Sequence, residues 1–206
     1  AMLFNSEFGI GAELHVVAMQ GWARGDEPLR GALPWVPPSP NMPTPDTALV
    51  YPGMGLLEGT NVSEGRGTTR PFETVGAPWA DAPALAARLN ALDLPGVRFR
   101  PAWFTPTFSK HAGKACAGVQ LHVTDRAAFL PVRTGIAVLK ALHDQHPEDF
   151  AFLSGSPSFF DHLAGVPWLR AAIARGDTVE MIEAQWAPGL ERFQALRTRH
   201  LLYPER

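Results

Sequence analysis

The spacing of apolar positions changes along this chain. Leu14-His15-Val16-Val17-Ala18-Met19 is a short β-branched run between Gly11 and Gly21, the pattern of a buried strand. Thr47-Ala48-Leu49-Val50-Tyr51, closed by Pro52-Gly53, predicts a second strand. Val97–Phe104 predicts a third, and Gly118–Thr124 a fourth in which Val119, Leu121 and Val123 alternate inward. Between the second and third, Asp81 suits an N-cap, Pro83 fits a first turn, and Leu85, Leu89 and Leu92 share a face ahead of Pro95-Gly96, so a helix is expected there. From residue 131 the period is helical throughout. Pro131 opens a helix with Val132, Ile136, Leu139 and Leu142 on one face, closing near Pro147. One or two short helices over 157–175 end at Gly176. Asp177 with Glu180 makes a capping-box-like start for a last helix carrying Ile182, Trp186, Leu190, Phe193, Leu196 and Leu201, kinked or restarted at Pro188. The pattern describes one α/β domain over residues 1–206, with a small mixed sheet of about four strands and helices concentrated in the C-terminal half.

Composition narrows the function classes. Of 206 residues, 46% are hydrophobic and 18% charged, which excludes a disordered chain, and a net charge of −2 provides no general attraction to nucleic acid. No apolar run approaches the roughly 18 residues of a membrane span. A single cysteine, Cys116, excludes an internal disulfide and any Cys-rich metal centre. The 20 prolines and 19 glycines exceed average usage and concentrate in particular segments. Residues 34–45 hold six prolines in twelve positions, which forbids helix and inner strand there. This is either a linker or an extended arm packed on the domain through Trp35, Val36 and Met42. The first residues lack the basic and apolar regions of a signal peptide. The abrupt start, with one residue before Met2, reads as a piece of a longer protein whose export signal would lie upstream.

The chemistry gathers in two polar stretches. Residues 58–73 contain Glu58, Glu64 and Glu73, two arginines, Arg66 and Arg70, and the hydroxyl and amide side chains of Thr60, Asn61, Ser63, Thr68 and Thr69 among three glycines. Glycines allow close approach of backbone to ligand, and these side chains both donate and accept in the manner a sugar requires. The same residues also suit a loop that satisfies its own polar groups. The spacing from Gly59 to Gly65 does not fit a phosphate-binding loop, no third glycine completes a dinucleotide fingerprint, and no cofactor is expected. In the second stretch, 104–118, Thr107, Ser109 and Lys110 beside His111 suit an acidic or hydroxylated ligand, and a plain connection between strands equally well. His122 alternates outward on its strand, toward these loops or into solvent. His111, Cys116 and His122 do not have the spacing of a zinc site, and no metal is expected.

Four phrases carry a more specific signal: Trp35-Val-Pro-Pro-Ser-Pro-Asn-Met-Pro-Thr; Tyr51-Pro-Gly followed by Glu58-Gly-Thr-Asn-Val-Ser-Glu-Gly-Arg-Gly-Thr; Pro71-Phe-Glu with Gly76-Ala-Pro-Trp79; and Phe104-Thr-Pro-Thr-Phe-Ser-Lys. Together they resemble the C-terminal domain of the peptidoglycan exo-β-N-acetylmuramidases, over essentially the whole chain. The resemblance implies a partner in the same protein, an N-terminal Rossmann-like domain that is not in this chain. The cleft between the two would hydrolyse non-reducing-terminal N-acetylmuramic acid from a peptidoglycan-derived saccharide. It also implies that the main catalytic glutamate lies on that other domain. On this side Glu58 becomes the carboxylate for acid/base assistance, with Glu64 and Glu73 behind it. Muramic acid carries a lactyl carboxylate, for which Arg66 is the first candidate, then Arg70 and Lys110. Thr60, Asn61 and Ser63 would read sugar hydroxyls or the acetamide, and Thr68, Thr107, Ser109 and His122 complete the candidate set. Glu58 and Arg66 also suit a mutual ion pair that shapes the loop. The alternative function is a non-catalytic carbohydrate- or cell-wall-binding module.

Overall fold

The computed structural model describes residues 1–25, 34–155 and 158–204. They fall into two compact units, Val36–Ile182 and Ala1–Trp35 with Glu183–Arg206. In the smaller unit, helix α1 (Met2–Glu7) takes up the first apolar residues. The predicted strand over Leu14–Met19 is absent: the segment has no regular structure, and Val17 is 95% exposed. Among the described residues no strand pairs with it. The Met19 amide donates to the Tyr203 hydroxyl at 2.9 Å, and ahead of the segment Asn5 both donates to and accepts from Ala12. The ring of Trp22 meets Tyr203 edge-on, and Glu7 accepts His200 at 2.7 Å.

In the larger unit the proline arm has no helix or strand up to Thr44 and turns over Ser39–Met42, where the Met42 amide donates to the Ser39 carbonyl at 2.9 Å. Met42 is half-buried along it, while Val36 is exposed and does not anchor it. The second predicted strand is a helix, α2 (Pro45–Met54). Thr44 caps it, its Oγ1 accepting the Thr47 amide at 3.1 Å, and Pro45 occupies the first turn where its missing donor costs nothing. The buried Thr47, Val50 and Met54 lie three and four residues apart, a helical face rather than an alternating one. A 3₁₀ turn, Gly55–Gly59, carries the chain on into the polar loop.

The sheet has three strands, β1 (Thr74–Ala77), β2 (Val97–Phe104) and β3 (Cys116–Val123), in the order β1-β3-β2 and antiparallel at both pairings, not four strands of mixed direction. Its inner face carries the buried Val75, Val97, Phe99, Val119 and Leu121. On the other face Thr74, Gln120 and Arg100 form one cross-strand row, with His122 opposite Arg98 next to it. Helix α3 (Ala82–Ala91) starts where expected: Asp81 accepts the Ala84 amide at 3.1 Å, and Leu85 and Leu89 are fully buried. Asn90 at its end exchanges two hydrogen bonds with Phe99, which blunts the free edge of β2.

Helix α4 (Pro131–Gln145) buries Ile136, Leu139 and Leu142 and crosses α2 at a pair of glycines. A Cβ on Gly53 would lie 1.8 Å from the Pro131 carbonyl oxygen, and one on Gly135 would lie 2.3 Å from that of Gly53. Only glycine permits this backbone contact. Helices α5 (Phe159–Ala164) and α6 (Trp168–Arg175) form the expected pair, the proposed start at 157 lying outside the described residues, and Gly176 ends α6 in the left-handed conformation. Helix α7 (Val179–Thr198) continues through Pro188. Its cap is Thr178, which accepts the Met181 amide at 3.2 Å, rather than Asp177, whose carboxylate is taken by Arg175 at 2.6 Å.

Candidate functional site

Three close contacts fix the loop that follows α2. A Cβ on Gly59 would fall 2.6 Å from the Cα of Phe160, so glycine is required for the turn bearing Glu58 to lie against α5. Asn61 clamps the next residues: its side chain donates to the Asp149 carbonyl at 2.7 Å and accepts the Ala151 amide at 2.9 Å. Gly67, at φ +84°, brings its carbonyl to the Thr107 amide and hydroxyl, each at 3.0 Å. The two polar stretches recognised separately in the sequence are therefore one structure.

Four charges meet inside it. Arg66 binds Glu58 Oε1 through both Nε, at 3.1 Å, and Nη2, and its Nε also lies 3.2 Å from Glu64 Oε1. The Phe72 ring lies 5.1 Å from the guanidinium carbon; Phe72 itself is buried with a positive φ of 62°, a conformation that costs a non-glycine residue roughly 1–3 kcal/mol. Lys110 Nζ donates to the carbonyls of Leu57, Thr60 and Val62, each at 2.8 Å, and sits 2.9 Å from Glu64 Oε2. An ammonium has three protons and the three carbonyls use them, so Glu64 Oε2 is held as an ionic contact without a hydrogen bond of its own. Burial pushes the Lys110 pKa below the ordinary lysine value, against the opposing pull of Glu64 and Glu58. Glu64 is only 2% exposed. Glu58 lies at the surface of the cluster with 18% of its side chain exposed, and its Oε2 has no hydrogen-bond partner among the described residues.

The remaining candidates divide by what already occupies them. Thr60 Oγ1 donates to the Leu57 carbonyl at 2.8 Å, Ser63 Oγ accepts the Gly65 amide at 3.2 Å, and Thr68 Oγ1 donates to the Gly65 carbonyl at 2.6 Å. Glu73 is buried away from the loop's surface, accepting Thr47 at 2.6 Å and Thr44 at 3.1 Å, with Arg70 at 3.2 Å from its other oxygen. Its work is at the start of α2. Ser109 is exposed at φ +69°, and His111 Nε2 lies 2.7 Å from the Asn61 carbonyl oxygen. His122 stands exposed on the outer face of the sheet opposite Arg98, apart from the charge cluster. Among the described residues no three of His, Cys, Asp and Glu come together as metal ligands.

The structure adds a feature that sequence reasoning missed. A groove of about 200 Å³ opens on the outer face of the sheet, with Thr68, Thr69 and Arg70 on one rim and Arg100, Gln120 and Trp103 on the other. Arg98 and Arg100 alternate with the buried Val97 and Phe99 along β2, a signal from which their outward direction could have been read; nothing in the pattern showed that the loop 68–70 would wall in Arg100.

Comparison with known proteins identifies the family. Residues 49–203 match the family described as exo-β-N-acetylmuramidase NamZ, C-terminal, and residues 1–46 match its N-terminal counterpart. The chain is 53% identical over 203 residues to the peptidoglycan β-N-acetylmuramidase NamZ of Bacillus subtilis (strain 168), covering 98% of this chain and 49% of that protein. Among solved structures, one DUF1343 family protein of Bacteroides fragilis NCTC 9343 superposes with a TM-score of 0.89 at 30% identity, covering 98% of this chain and 54% of that one. A second from the same organism gives 0.60 at 29% identity, covering 82% and 44%. The chain thus spans about half the length of the relatives it matches. On its residues 49–203, the chain belongs to the NamZ exo-β-N-acetylmuramidase C-terminal family.

Proposed function

We propose that this chain is the C-terminal, substrate-binding half of a two-domain glycoside hydrolase that releases N-acetylmuramic acid from the non-reducing ends of peptidoglycan fragments. The loop 58–70 forms one wall of the cleft, and a Rossmann-like N-terminal domain carrying the main catalytic carboxylate forms the other. The observation that carries the reading is the 53% identity to the B. subtilis muramidase, sustained over 98% of the chain. The geometry supports it at Glu58. Arg66 holds one carboxylate oxygen and leaves the other open, so an oriented acceptor faces outward for a sugar hydroxyl or for acid/base assistance. Thr60, Asn61 and Ser63 spend their side chains on the protein itself, which gives them the task of shaping the wall that presents Glu58.

One observation favours the second reading, a non-catalytic cell-wall-binding module: the four charges of Glu58, Glu64, Arg66 and Lys110 close on one another. A chromogenic N-acetylmuramide separates the two. The muramidase reading requires that the full-length parent hydrolyse it, that the isolated 206-residue chain leave it intact, and that Glu58→Gln in the parent slow turnover at least about 10-fold. A parent that leaves the muramide uncleaved while the chain still binds muramic-acid disaccharide establishes the binding module instead.

A further inference from the structure

We propose that the exposed apolar face of the smaller unit is a docking surface for the N-terminal domain of the same protein, and that Leu14–Met19 becomes a strand of that domain's sheet. The inference rests on the two-domain reading above. Residues 1–46, which hold α1 and this run, match the N-terminal family, whereas 49–203 match the C-terminal one. The relatives are about twice as long as the chain, so their remaining half has ample length to supply the neighbouring strands.

The residues themselves describe such a strand. Five of the six in Leu14-His15-Val16-Val17-Ala18-Met19 are apolar. Successive side chains of a strand point to opposite faces, which would set Leu14, Val16 and Ala18 on one and Val17 and Met19 on the other. A strand apolar on both faces belongs inside a sheet covered on both sides. The run follows α1 after a turn in which Gly9 and Gly11 have φ of 60° and 70°, the helix-turn-strand order of an α/β unit. Asn5 in α1 exchanges two hydrogen bonds with Ala12, at 2.9 and 2.8 Å, so the helix fixes where the run begins.

Cover is what the run lacks. Leu14, Val16, Val17 and Met19 are 40%, 47%, 95% and 58% exposed. Among the described residues no hydrogen bond reaches the backbone of Leu14–Ala18, and a row of free donors and acceptors along an apolar run is a template for another strand. The surface continues past the run. Phe4 and Phe8, stacked at 5.3 Å, and Ile10 are all exposed, and a depression of about 390 Å³ is lined by Met2, Leu3, Val16, Phe193 and Leu202. Contiguous apolar surface of this kind marks an interaction site.

The test compares amide exchange of residues 14–18 in the 206-residue chain and in the full-length parent. In the chain these amides should exchange as freely as those of an open segment; in the parent at least two of them should be slowed about 100-fold or more. Val17→Asp should lower the urea midpoint of the parent, or prevent its folding, while leaving that of the chain unchanged, and Val36→Asp, at an exposed position of the larger unit, should alter neither. Equal exchange in chain and parent, or equal effects of Val17→Asp on both, overturns the proposal. So does protection that arises in the chain alone with dimerisation by sedimentation, which would give the face to a second copy. Hydrolysis of the chromogenic muramide by the wild-type parent is scored separately. If it occurs without protection of the run, the docking assignment fails and the muramidase reading stands; protection without hydrolysis gives the reverse.

Discussion

Lys110 shows how much a single side chain can settle about a loop. Three backbone carbonyls and one buried carboxylate converge on its ammonium, so a lysine from one polar stretch fixes the path of the other. Removing one partner of a buried ion pair leaves the other uncompensated, a loss of about 3–5 kcal/mol when both are fully enclosed. With about a fifth of the Lys110 side chain exposed, Lys110→Met is expected to cost about 2–4 kcal/mol by urea denaturation. Glu64→Gln in that background should recover part of the loss, since it removes the stranded charge; a cost below about 1 kcal/mol would show that the lysine is a surface charge and not an anchor. The sequence made the residue types of this cluster plain, including the Glu58–Arg66 pair eight positions apart. It did not show which cations would be left over. That depends on which carboxylates arrive from elsewhere in the fold, as with Asp93 at Arg98 and Glu73 at Arg70, whereas Arg100 receives none.

At the level of elements, the strands and helices read from clear periodicity are present, namely β2, β3, α3, α4 and the α5–α6 pair, and the misreading of α2 as a strand has a local cause. Thr47–Tyr51 is β-branched and apolar, which favours a strand locally, but Thr44-Pro45 immediately before it is a helix start, and a capped helix that buries Thr47, Val50 and Met54 prevails over residue preference. The α2–α4 crossing tests this packing. Gly53→Ala sets a Cβ against the Pro131 carbonyl and is expected to destabilise by at least about 2 kcal/mol through forced separation of the helices, whereas Gly189→Ala in α7, where the nearest atom would be 3.9 Å away, should stabilise by about 0.5–1 kcal/mol. Equal effects at both sites would remove the close crossing. Asp144 gives the same layer a pH dependence. Burial pushes its pKa up, yet the hydrogen bonds from Lys140 and His143 and the charges of Lys140 and Arg88 prevail and hold it below the ordinary 3.8. Its carboxylate, at 2.6 Å from Arg88, ties α4 to α3. The unfolded chain thus binds the proton more readily, so this stability is present above pH 3.8 and is lost as pH falls through the lower folded value. Denaturation midpoints of wild type and Asp144→Asn should converge on acidification across that window; a constant gap would exclude the linkage.

For the whole molecule, the long phrases in the sequence identified the family, because they are specific over many consecutive residues, but the division of the chain was not legible in them. The structure separates Val36–Ile182 from the two chain ends, while the family matches change over between residues 46 and 49, inside the first turn of α2. Burial shows how unequal the two units are. Of the buried apolar side chains among the described residues, Ala23 alone belongs to the smaller unit, and the rest run from Val50 to Ile182. Phe4, Phe8, Ile10, Val17, Leu190 and Phe193 all stay exposed. Apolar burial is the main source of cooperative stability at roughly 25 cal/mol per Å², so the smaller unit has little with which to resist opening. Native-state amide exchange on the 206-residue chain should therefore show two tiers. The amides of α2, α4 and the three strands should exchange only through global unfolding, while those of α1 and of α7 beyond Pro188 exchange through local opening at least about 100-fold faster, a gap near 2.7 kcal/mol. Denaturant should accelerate the first group steeply and the second hardly at all, because little surface is exposed when the second group opens. Uniform protection across both groups, with one shared denaturant slope, would mean that the chain ends are bound into the same cooperative core.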